Sequence, residues 1–314
     1  MTRRKTSEAY TQGPRAFGGA FVFICALAVA PLIGQAPAAQ FDPVLTDPPA
    51  RDATNPAQLA EVSIGDADGR INALLYVAAG RDPKPTVVLL NGIPGNERNL
   101  DVAQAVRRAG ANVLYVTYRG TWGNGGLFSR ANALTDVSTA LRYLRSDDTV
   151  SRFKIDLRRL TLVGHSFGGW VALMGAAADP AVACVAGLDV ANIGVRARRL
   201  NDPARFAAAI ANTEALIAPG APYRAESGVA LATEMRAHAE EWDLVRYASM
   251  FRSRPVLLIS ATNADEQAEF VAALRKAGAT RLVEQNWETD HSFSDRRIKL
   301  ARAIVEWLKS SCGF

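Results

Sequence analysis

The sequence predicts an α/β protein in which a mostly parallel β-sheet is covered by helices on both faces. From residue 85 onward, short apolar segments typical of buried strands alternate with longer segments typical of helices. Strands are predicted at residues 86–91, 112–118, 159–163, 182–188, 255–260 and 281–284. Helices are predicted at residues 100–108, 133–145, 168–178, 266–277 and 295–309. This alternation favours parallel strands, because each crossover between them needs a helix.

Two segments depart from this alternation. Residues 61–64 and 71–77 flank a Gly-Asp-Ala-Asp-Gly turn, which predicts a β-hairpin ahead of the parallel strands. Residues 192–249 contain only helical sequence rich in Ala, Arg and Glu, which predicts a helical cap inserted after the sixth strand. The α/β core would then comprise residues 59–191 and 250–314, preceded by a Pro- and Ala-rich linker at 39–58.

The first 38 residues resemble an export signal. Its basic residues are Arg3, Arg4, Lys5 and Arg15. Nineteen uncharged residues follow at 16–34, and Ala-Pro-Ala stands at 36–38. A basic start, an apolar run and small residues at alternate positions are typical of a cleaved signal peptide. We therefore expect a periplasmic or secreted protein without stable membrane insertion. An uncleaved N-terminal membrane anchor is the alternative, because nineteen apolar residues can span a bilayer.

Charge and cysteine content limit the remaining possibilities. Most of the formal net charge of +5 belongs to the first 38 residues, so the basicity does not indicate a nucleic-acid partner. Cys184 and Cys312 remain after signal removal. An oxidising compartment would permit a disulfide between them. Since nothing in the sequence brings them together, we expect two free thiols.

Residues 164–168 read Gly-His-Ser-Phe-Gly between a predicted strand and a predicted helix. In this context the G-x-S-x-G pattern is typical of a nucleophile elbow, in which a sharp turn lifts the serine above the sheet edge. Gly164 and Gly168 carry no Cβ and so permit the turn. We predict Ser166 as the nucleophile; the alternative is a serine that only caps the following helix.

A serine nucleophile needs a base, and the chain contains three histidines. His165 adjoins Ser166, but the turn directs neighbouring side chains apart, so we expect it to pack beside the nucleophile. His238 lies in a helical segment of the cap, where solvent exposure is expected. His291 follows the last predicted strand, at the sheet edge where ligand chemistry collects in open α/β sheets. We predict His291 as the base.

The base needs a carboxylate that orients the imidazole. We predict Asp265, which follows the strand at 255–260 and gives the chain order Ser, Asp, His. Asp189, directly after the strand at 182–188, is the alternative acid. Asp290 and Glu266 are weaker candidates that we expect to be exposed charges.

An acyl-transfer site also needs two donors for the oxyanion that develops on the substrate. The backbone N–H of Phe167, at the start of the helix after the nucleophile, is the first predicted donor. The second is the N–H of Ile93, in the Asn-Gly-Ile-Pro-Gly loop after the strand at 86–91. Pro94 has no N–H and is excluded. The alternative is an ordinary strand-to-helix turn.

Four segments together resemble the α/β-hydrolase superfamily, and within it the dienelactone-hydrolase and prolyl-oligopeptidase-like group. These segments are Leu-Asn-Gly-Ile-Pro-Gly at 90–95, Tyr-Arg-Gly at 118–120, Gly-His-Ser-Phe-Gly-Gly at 164–169 and Asp-His-Ser-Phe at 290–293. The resemblance implies an eight-stranded sheet, a helical cap and hydrolysis of an ester, thioester or amide through an acyl-enzyme. Dienelactone hydrolases have cysteine where Ser166 stands, so their substrate is not implied.

We therefore expect a serine hydrolase acting on a small acyl ester, with no cofactor and no metal, because water is the cosubstrate and the histidines and cysteines lack zinc spacing. A peptidase acting on a short peptide is the second hypothesis. It would need an acidic anchor for a substrate amine, for which Glu240, Glu241 and Asp243 are candidates. A catalytically inactive binding protein of the same fold is the third.

Overall fold

The computed structural model describes residues 41–65 and 69–314, together with the isolated residues Gly13 and Gly18. The chain divides into two compact units, Met1–Gln40 and Phe41–Phe314. The predicted signal peptide lies in the first unit and, apart from those two glycines, outside the described residues. Residues 66–68 of the predicted hairpin turn, in the second unit, also lie outside the described residues. Everything that follows concerns the second unit.

A single eight-stranded sheet forms the centre of this unit, in the order β1-β2-β4-β3-β5-β6-β7-β8. Its strands are β1 (Gln58–Ile64), β2 (Ile71–Val77), β3 (Lys84–Leu90), β4 (Asn112–Val116), β5 (Ile155–His165), β6 (Cys184–Leu188), β7 (Val256–Ser260) and β8 (Leu282–Asn286). The first two strands pair antiparallel with each other, and β2 pairs antiparallel with β4. All other pairs are parallel. The predicted α/β fold is confirmed.

The helices that cover the sheet are α1 (Leu100–Arg108), α2 (Arg130–Leu144), α3 (Asp147–Phe153), α4 (Phe167–Ala178), α8 (Ala264–Lys276) and α9 (Arg297–Ser311). Two hydrophobic layers result. One packs α2, α4 and α8 against the sheet, and the other packs α1 and α9 against its opposite face. Strands β3, β4, β6 and β7 are buried at every position. Burial on both faces explains their continuous apolar sequence.

The sequence did not predict α3. Only Thr149 and Phe153 of its seven residues are buried, so the segment shows little of the apolar periodicity that marks a helix. The helix ends at Lys154, which adopts a left-handed conformation with φ 54°. The chain then enters β5, which begins four residues earlier than the predicted strand at 159–163.

Residues 192–249, the segment predicted as a cap, form helices and no strand. They contain α5 (Ile193–Arg198), α6 (Pro203–Ile217) and α7 (Gly228–Ala237), a short 3₁₀ turn, and the start of a 3₁₀ helix at Leu244–Phe251. Several hydrogen bonds join this cap to the core. Glu234 of α7 accepts hydrogen bonds from the Arg130 and Ala131 N–H groups at the start of α2, both at 3.0 Å. The backbone of Trp122 donates to Pro222 at 2.7 Å.

Two residues near the start of the segment predicted as a linker, Asp42 and Pro43, bind the core. Arg302 of α9 pairs with Asp42 at 2.6 Å. The Arg108 guanidinium donates to the carbonyl oxygen of Pro43 at 2.7 Å. None of the helices in the described part of the chain combines the length and apolar composition that crossing a bilayer requires.

The two cysteines of this unit form a disulfide, so the expectation of two free thiols was wrong. Cys184 is the first residue of β6, and Cys312 follows the last residue of α9. Packing of α9 on the sheet brings their Cα atoms to 6.1 Å, a separation that a disulfide spans. The contact joins residues 128 positions apart, which no sequence spacing indicates.

Replacing both cysteines by serine should lower the free energy of unfolding by about 2–5 kcal/mol, because the bond closes a long loop in the unfolded chain. Urea unfolding under non-reducing conditions measures the change. Cys184→Ser and Cys312→Ser alone should each match the double variant, since either substitution removes the bond. A wild-type unfolding curve that dithiothreitol leaves unchanged would contradict the disulfide.

Candidate active site

Ser166 stands in a sharp turn between β5, which ends at His165, and α4, which begins at Phe167. Its backbone has φ 57° and ψ −119°, a conformation that non-glycine residues rarely adopt. Such strain persists only where surrounding structure enforces it, and it clusters at functional sites. The Ser166 side chain makes no capping hydrogen bond to α4, which excludes the capping role considered from the sequence.

Gly164 and Gly168 make this turn possible. A Cβ atom on Gly164 would lie 2.0 Å from the carbonyl oxygen of Gly168, and one on Gly168 would lie 2.4 Å from that of Leu90. Both distances are far inside van der Waals contact, so the backbone could not pack as it does with any side chain at either position. The predicted elbow glycines therefore hold the serine in place.

The loop after β3 packs directly on the nucleophile turn. A Cβ atom on Gly92 would come within 3.0 Å of the Ser166 Cβ. The next residue is Ile93, whose N–H has no acceptor among the described residues, and the same holds for the N–H of Phe167. Phe167 directly follows Ser166, and Ile93 follows the glycine that packs on the serine. Neither N–H is used within the described part of the fold, and their role as oxyanion donors stays a prediction.

Two side chains bind the backbone of the loop after β3. The Tyr118 hydroxyl donates to the carbonyl oxygen of Asn91 at 2.9 Å, and the Trp122 indole donates to that of Pro94 at 2.9 Å. Trp122 itself adopts a left-handed backbone conformation with φ 51°. The Tyr-Arg-Gly motif and the tryptophan after it thus support the loop after β3, a role that we did not assign to them from the sequence.

The carboxylate beside His291 is Asp189, the alternative acid, and not Asp265. His291 Nδ1 lies 2.5 Å from Asp189 Oδ2. Asp265 is exposed in the first turn of α8 and makes no hydrogen bond to His291 among the described contacts. Asp189 directly follows β6, the strand beside the nucleophile strand. Its position directly after a predicted strand is the sequence signal that made Asp189 a candidate acid.

The turn after β7 explains why Asp265 does not lie beside His291. Its residues do not supply a carboxylate; they donate hydrogen bonds to one. The N–H groups of Ala261 and Asn263 reach Asp189 Oδ1 at 2.7 and 2.8 Å, and the Thr262 hydroxyl reaches Oδ2 at 2.7 Å. The turn wraps around the carboxylate, and Asp265 begins the next helix.

The two weaker candidates also have other partners. Glu266 pairs with Arg196 at 2.9 Å, and the Asp290 carboxylate accepts from the Ser294 N–H at 2.8 Å.

Asp189 is fully buried yet holds its charge. Burial alone would raise the pKa of Asp189, but the hydrogen bonds from His291, Asn263, Ala261 and Thr262 outweigh burial and lower this pKa to about 2. A carboxylate of this kind can stabilise a positive charge on the imidazole at every pH from mildly acidic upward.

Ser166 and His291 are both anchored to the end of β6. The Ser166 N–H donates to the carbonyl oxygen of Leu188 at 2.8 Å, and the next residue, Asp189, holds the imidazole. Among the described contacts, no hydrogen bond joins Ser166 Oγ to His291. Such bonds are often long in unliganded enzymes and tighten when substrate binds. The His291 side chain is 40% exposed, so substrate can approach it.

His165 packs beside the nucleophile, as expected. Its Nε2 lies 2.7 Å from the carbonyl oxygen of His291, and the two rings are 4.7 Å apart. Because a carbonyl only accepts, Nε2 carries the proton, and the buried Nδ1 has no hydrogen-bond partner. Burial, aided by the nearby His291 ring, lowers the pKa of His165 to about 4, although the hydrogen bond to the His291 carbonyl raises it. His165 is therefore neutral at neutral pH, and it bonds the loop that carries His291.

His238 lies in the cap, where it stacks on Trp242 and contacts Glu241 at 2.8 Å. In the described part of the chain, no three His, Cys, Asp or Glu side chains gather as a metal site.

Residues 87–303 match the sequence profile of the Alpha/beta hydrolase family. This match spans more than half of the chain, and the strand order agrees with it. The chain belongs to the alpha/beta hydrolase family, which confirms the superfamily resemblance.

Several solved structures share the fold. An acylaminoacyl peptidase of Pyrococcus horikoshii superposes with a TM-score of 0.58 at 13% identity, over 82% of this chain and 42% of that protein. The chain thus spans less than half of the peptidase's length. An esterase of Pyrococcus furiosus gives a TM-score of 0.58 at 17% identity, over 82% of this chain and 92% of the esterase. The 2,6-dihydroxy-pseudo-oxynicotine hydrolase gives 0.58 at 17% identity, over 82% and 69%.

A search of curated protein sequences found no match to this chain. The structural likenesses establish the fold, and at these identities they do not assign a substrate.

Substituting His165 by glutamine should reduce the acid sensitivity of the fold. A buried histidine whose pKa is lowered destabilises the folded state as pH falls from about 6.5 toward 4, because the unfolded chain binds the proton first. Removing it should flatten the free energy of unfolding across this interval by roughly 3 kcal/mol. Denaturant unfolding at a series of pH values measures the slope. A variant with the wild-type slope would show that His165 is not the group concerned.

Proposed function

We propose that this protein is a serine hydrolase that cleaves a carboxylic ester through an acyl-enzyme. The observation that carries the proposal is the strained turn at Ser166, whose N–H binds Leu188, the residue before the acid of the His291–Asp189 pair. The N–H groups of Phe167 and Ile93 have no acceptor among the described residues. A serine that served only the fold would not need this conformation or these neighbours.

Each group has a role in the proposed reaction. Ser166 Oγ attacks the carbonyl carbon while His291 Nε2 accepts its proton. Asp189 keeps the other imidazole nitrogen protonated and stabilises the imidazolium. The N–H groups of Phe167 and Ile93 bind the oxyanion, and loss of one such donor costs about 3 kcal/mol of transition-state stabilisation.

The imidazolium then gives its proton to the alcohol that leaves. The acyl group stays on Ser166 as an ester. Water attacks this ester with His291 again as the base, and the carboxylic acid is released. These steps consume one water and regenerate the serine.

The cap favours an ester over a peptide. Two of the three carboxylates considered as anchors for a substrate amine, Glu241 and Asp243, are already paired within the protein. Asp243 is buried, pairs with Arg198 and accepts a hydrogen bond from Asn192 at 3.0 Å. Glu241 contacts His238. Glu240 is exposed without an ion-pair partner among the described residues, and one exposed carboxylate is a weak anchor.

Covalent labelling distinguishes an enzyme from an inactive binding protein. A fluorophosphonate probe should label the wild-type protein, and Ser166→Ala should abolish labelling, because only an activated serine attacks the phosphorus. A panel of p-nitrophenyl esters and aminoacyl arylamides should show turnover of short-chain esters. Ser294→Ala, a serine beyond the base, is the matched control that keeps labelling. Labelling that survives Ser166→Ala would overturn the proposal, and faster hydrolysis of the arylamides would favour the peptidase.

Asp189 and Asp265 can be compared directly. Asp189→Asn should lower kcat by about 10³- to 10⁴-fold, because the amide no longer fixes the imidazole tautomer or stabilises its charge. Asp265→Asn should stay within about twofold of the wild-type rate, as expected for an exposed surface group. Steady-state hydrolysis of the best ester measures both. The reverse ranking would restore Asp265 as the acid.

We also propose that the protein is exported. The basic and apolar start of the chain supports this, and so does the Cys184–Cys312 disulfide, because such bonds persist in oxidising compartments. Mass determination of the N-terminus after cell fractionation tests the proposal. A cytoplasmic protein that retains residues 1–38 would contradict it.

A further inference from the structure

Asn263 holds the proposed catalytic acid at two points. Its backbone N–H donates to Asp189 Oδ1 at 2.8 Å, and its side-chain amide donates to the backbone carbonyl of Asp189 at 2.8 Å. Asp189 has φ 44°, a left-handed conformation that is unusual for a non-glycine residue. The amide of Asn263 therefore helps to hold both the carboxylate and the backbone turn that presents it.

Arg196 of the cap fixes the orientation of this amide. Its guanidinium donates to Asn263 Oδ1 at 3.1 Å and, through Nε, to Glu266 at 2.9 Å. Because a guanidinium can only donate, Arg196 directs the amide oxygen of Asn263 toward itself and leaves the amide nitrogen facing Asp189. A chain of hydrogen bonds thus runs from α5, the first helix of the cap, to the buried acid.

We propose that Arg196 and Asn263 are positioning residues, which couple the docking of the cap to the orientation of Asp189 and thereby of His291. This inference rests on the proposed function. The cap then does more than cover the site: when α5 is seated on the turn after β7, the acid is held in its productive orientation, and displacement of α5 loosens it.

Arg199 provides a matched control. It lies one helical turn beyond Arg196, just past the end of α5, and also donates to Glu266, at 3.2 Å. Both arginine side chains are partly exposed, at 38% and 51%. Arg199 makes no hydrogen bond to Asn263 among the described contacts. Removing either arginine deletes one positive charge beside the same carboxylate, and only Arg196 touches the amide.

Kinetics of single and double variants test the coupling. Arg196→Gln should lower kcat for the best ester about fivefold to tenfold with little change in KM, since a hydrogen bond of a charged donor is lost but the substrate contacts remain. Arg199→Gln should stay within about twofold of wild type. Asn263→Ala should lower kcat at least as far as Arg196→Gln. Asn263 makes no side-chain capping bond to α8, so this change leaves the helix start intact.

The double variant Arg196→Gln/Asn263→Ala decides whether Arg196 acts through Asn263. If it does, the double variant matches Asn263→Ala within about twofold, because the arginine has nothing left to orient. Multiplicative losses would overturn the proposal, and so would equal losses in Arg196→Gln and Arg199→Gln, which would assign the effect to charge alone.

Nuclear magnetic resonance gives a readout that does not need activity. The proton of His291 Nδ1 that faces Asp189 should give a low-field signal, and Arg196→Gln should move it upfield or broaden it while Arg199→Gln leaves it in place. An unchanged signal in Arg196→Gln would overturn the coupling even if the rate fell. If wild type neither labels nor hydrolyses esters, the proposed function fails, and the position of this signal still tests the link between the cap and the acid.

Discussion

The rest of the site depends on the buried charge of Asp189. A fully buried carboxylate is costly unless hydrogen bonds replace its water. Here the imidazole, two backbone N–H groups and one hydroxyl do so. These donors come from the turn after β7 and the loop after β8, so one carboxylate draws two loops together at the sheet edge. The same bonds that stabilise its charge set the orientation of the His291 imidazole.

Backbone strain at adjacent strand ends is the second constraint. Ser166 and Asp189 follow the neighbouring strands β5 and β6, and both adopt left-handed φ values, 57° and 44°. The Ser166 N–H binds the end of β6, which ties one strained turn to the other. Parallel pairing therefore brings Ser166 and Asp189 together at the carboxyl edge of the sheet, where open α/β folds bind their ligands.

The sequence alone led to most of the proposed site because its signals are local. The elbow at Ser166 needs glycine two residues before and after it, and five consecutive residues of the sequence show that this requirement is met. The proposed base could be selected by elimination among three histidines. The carboxylate that bonds it could not, since Asp189 and Asp265 both follow strands at the same edge. What separates them is the hydrogen bonding of residues 261–263, which depends on how that turn folds against β6.

The amino-acid sequence by itself determined the alternation of strands and helices, the sharp turn at the serine and the helical nature of the cap, because these follow from periodicity and from the steric freedom of glycine. The tertiary structure alone decided the pairing of Asp189 with His291, the Cys184–Cys312 bond and the contact between Arg196 and Asn263. Those pairs lie 67 to 128 positions apart. Contacts at such separations arise from the packing of whole elements, which no local pattern of residues encodes.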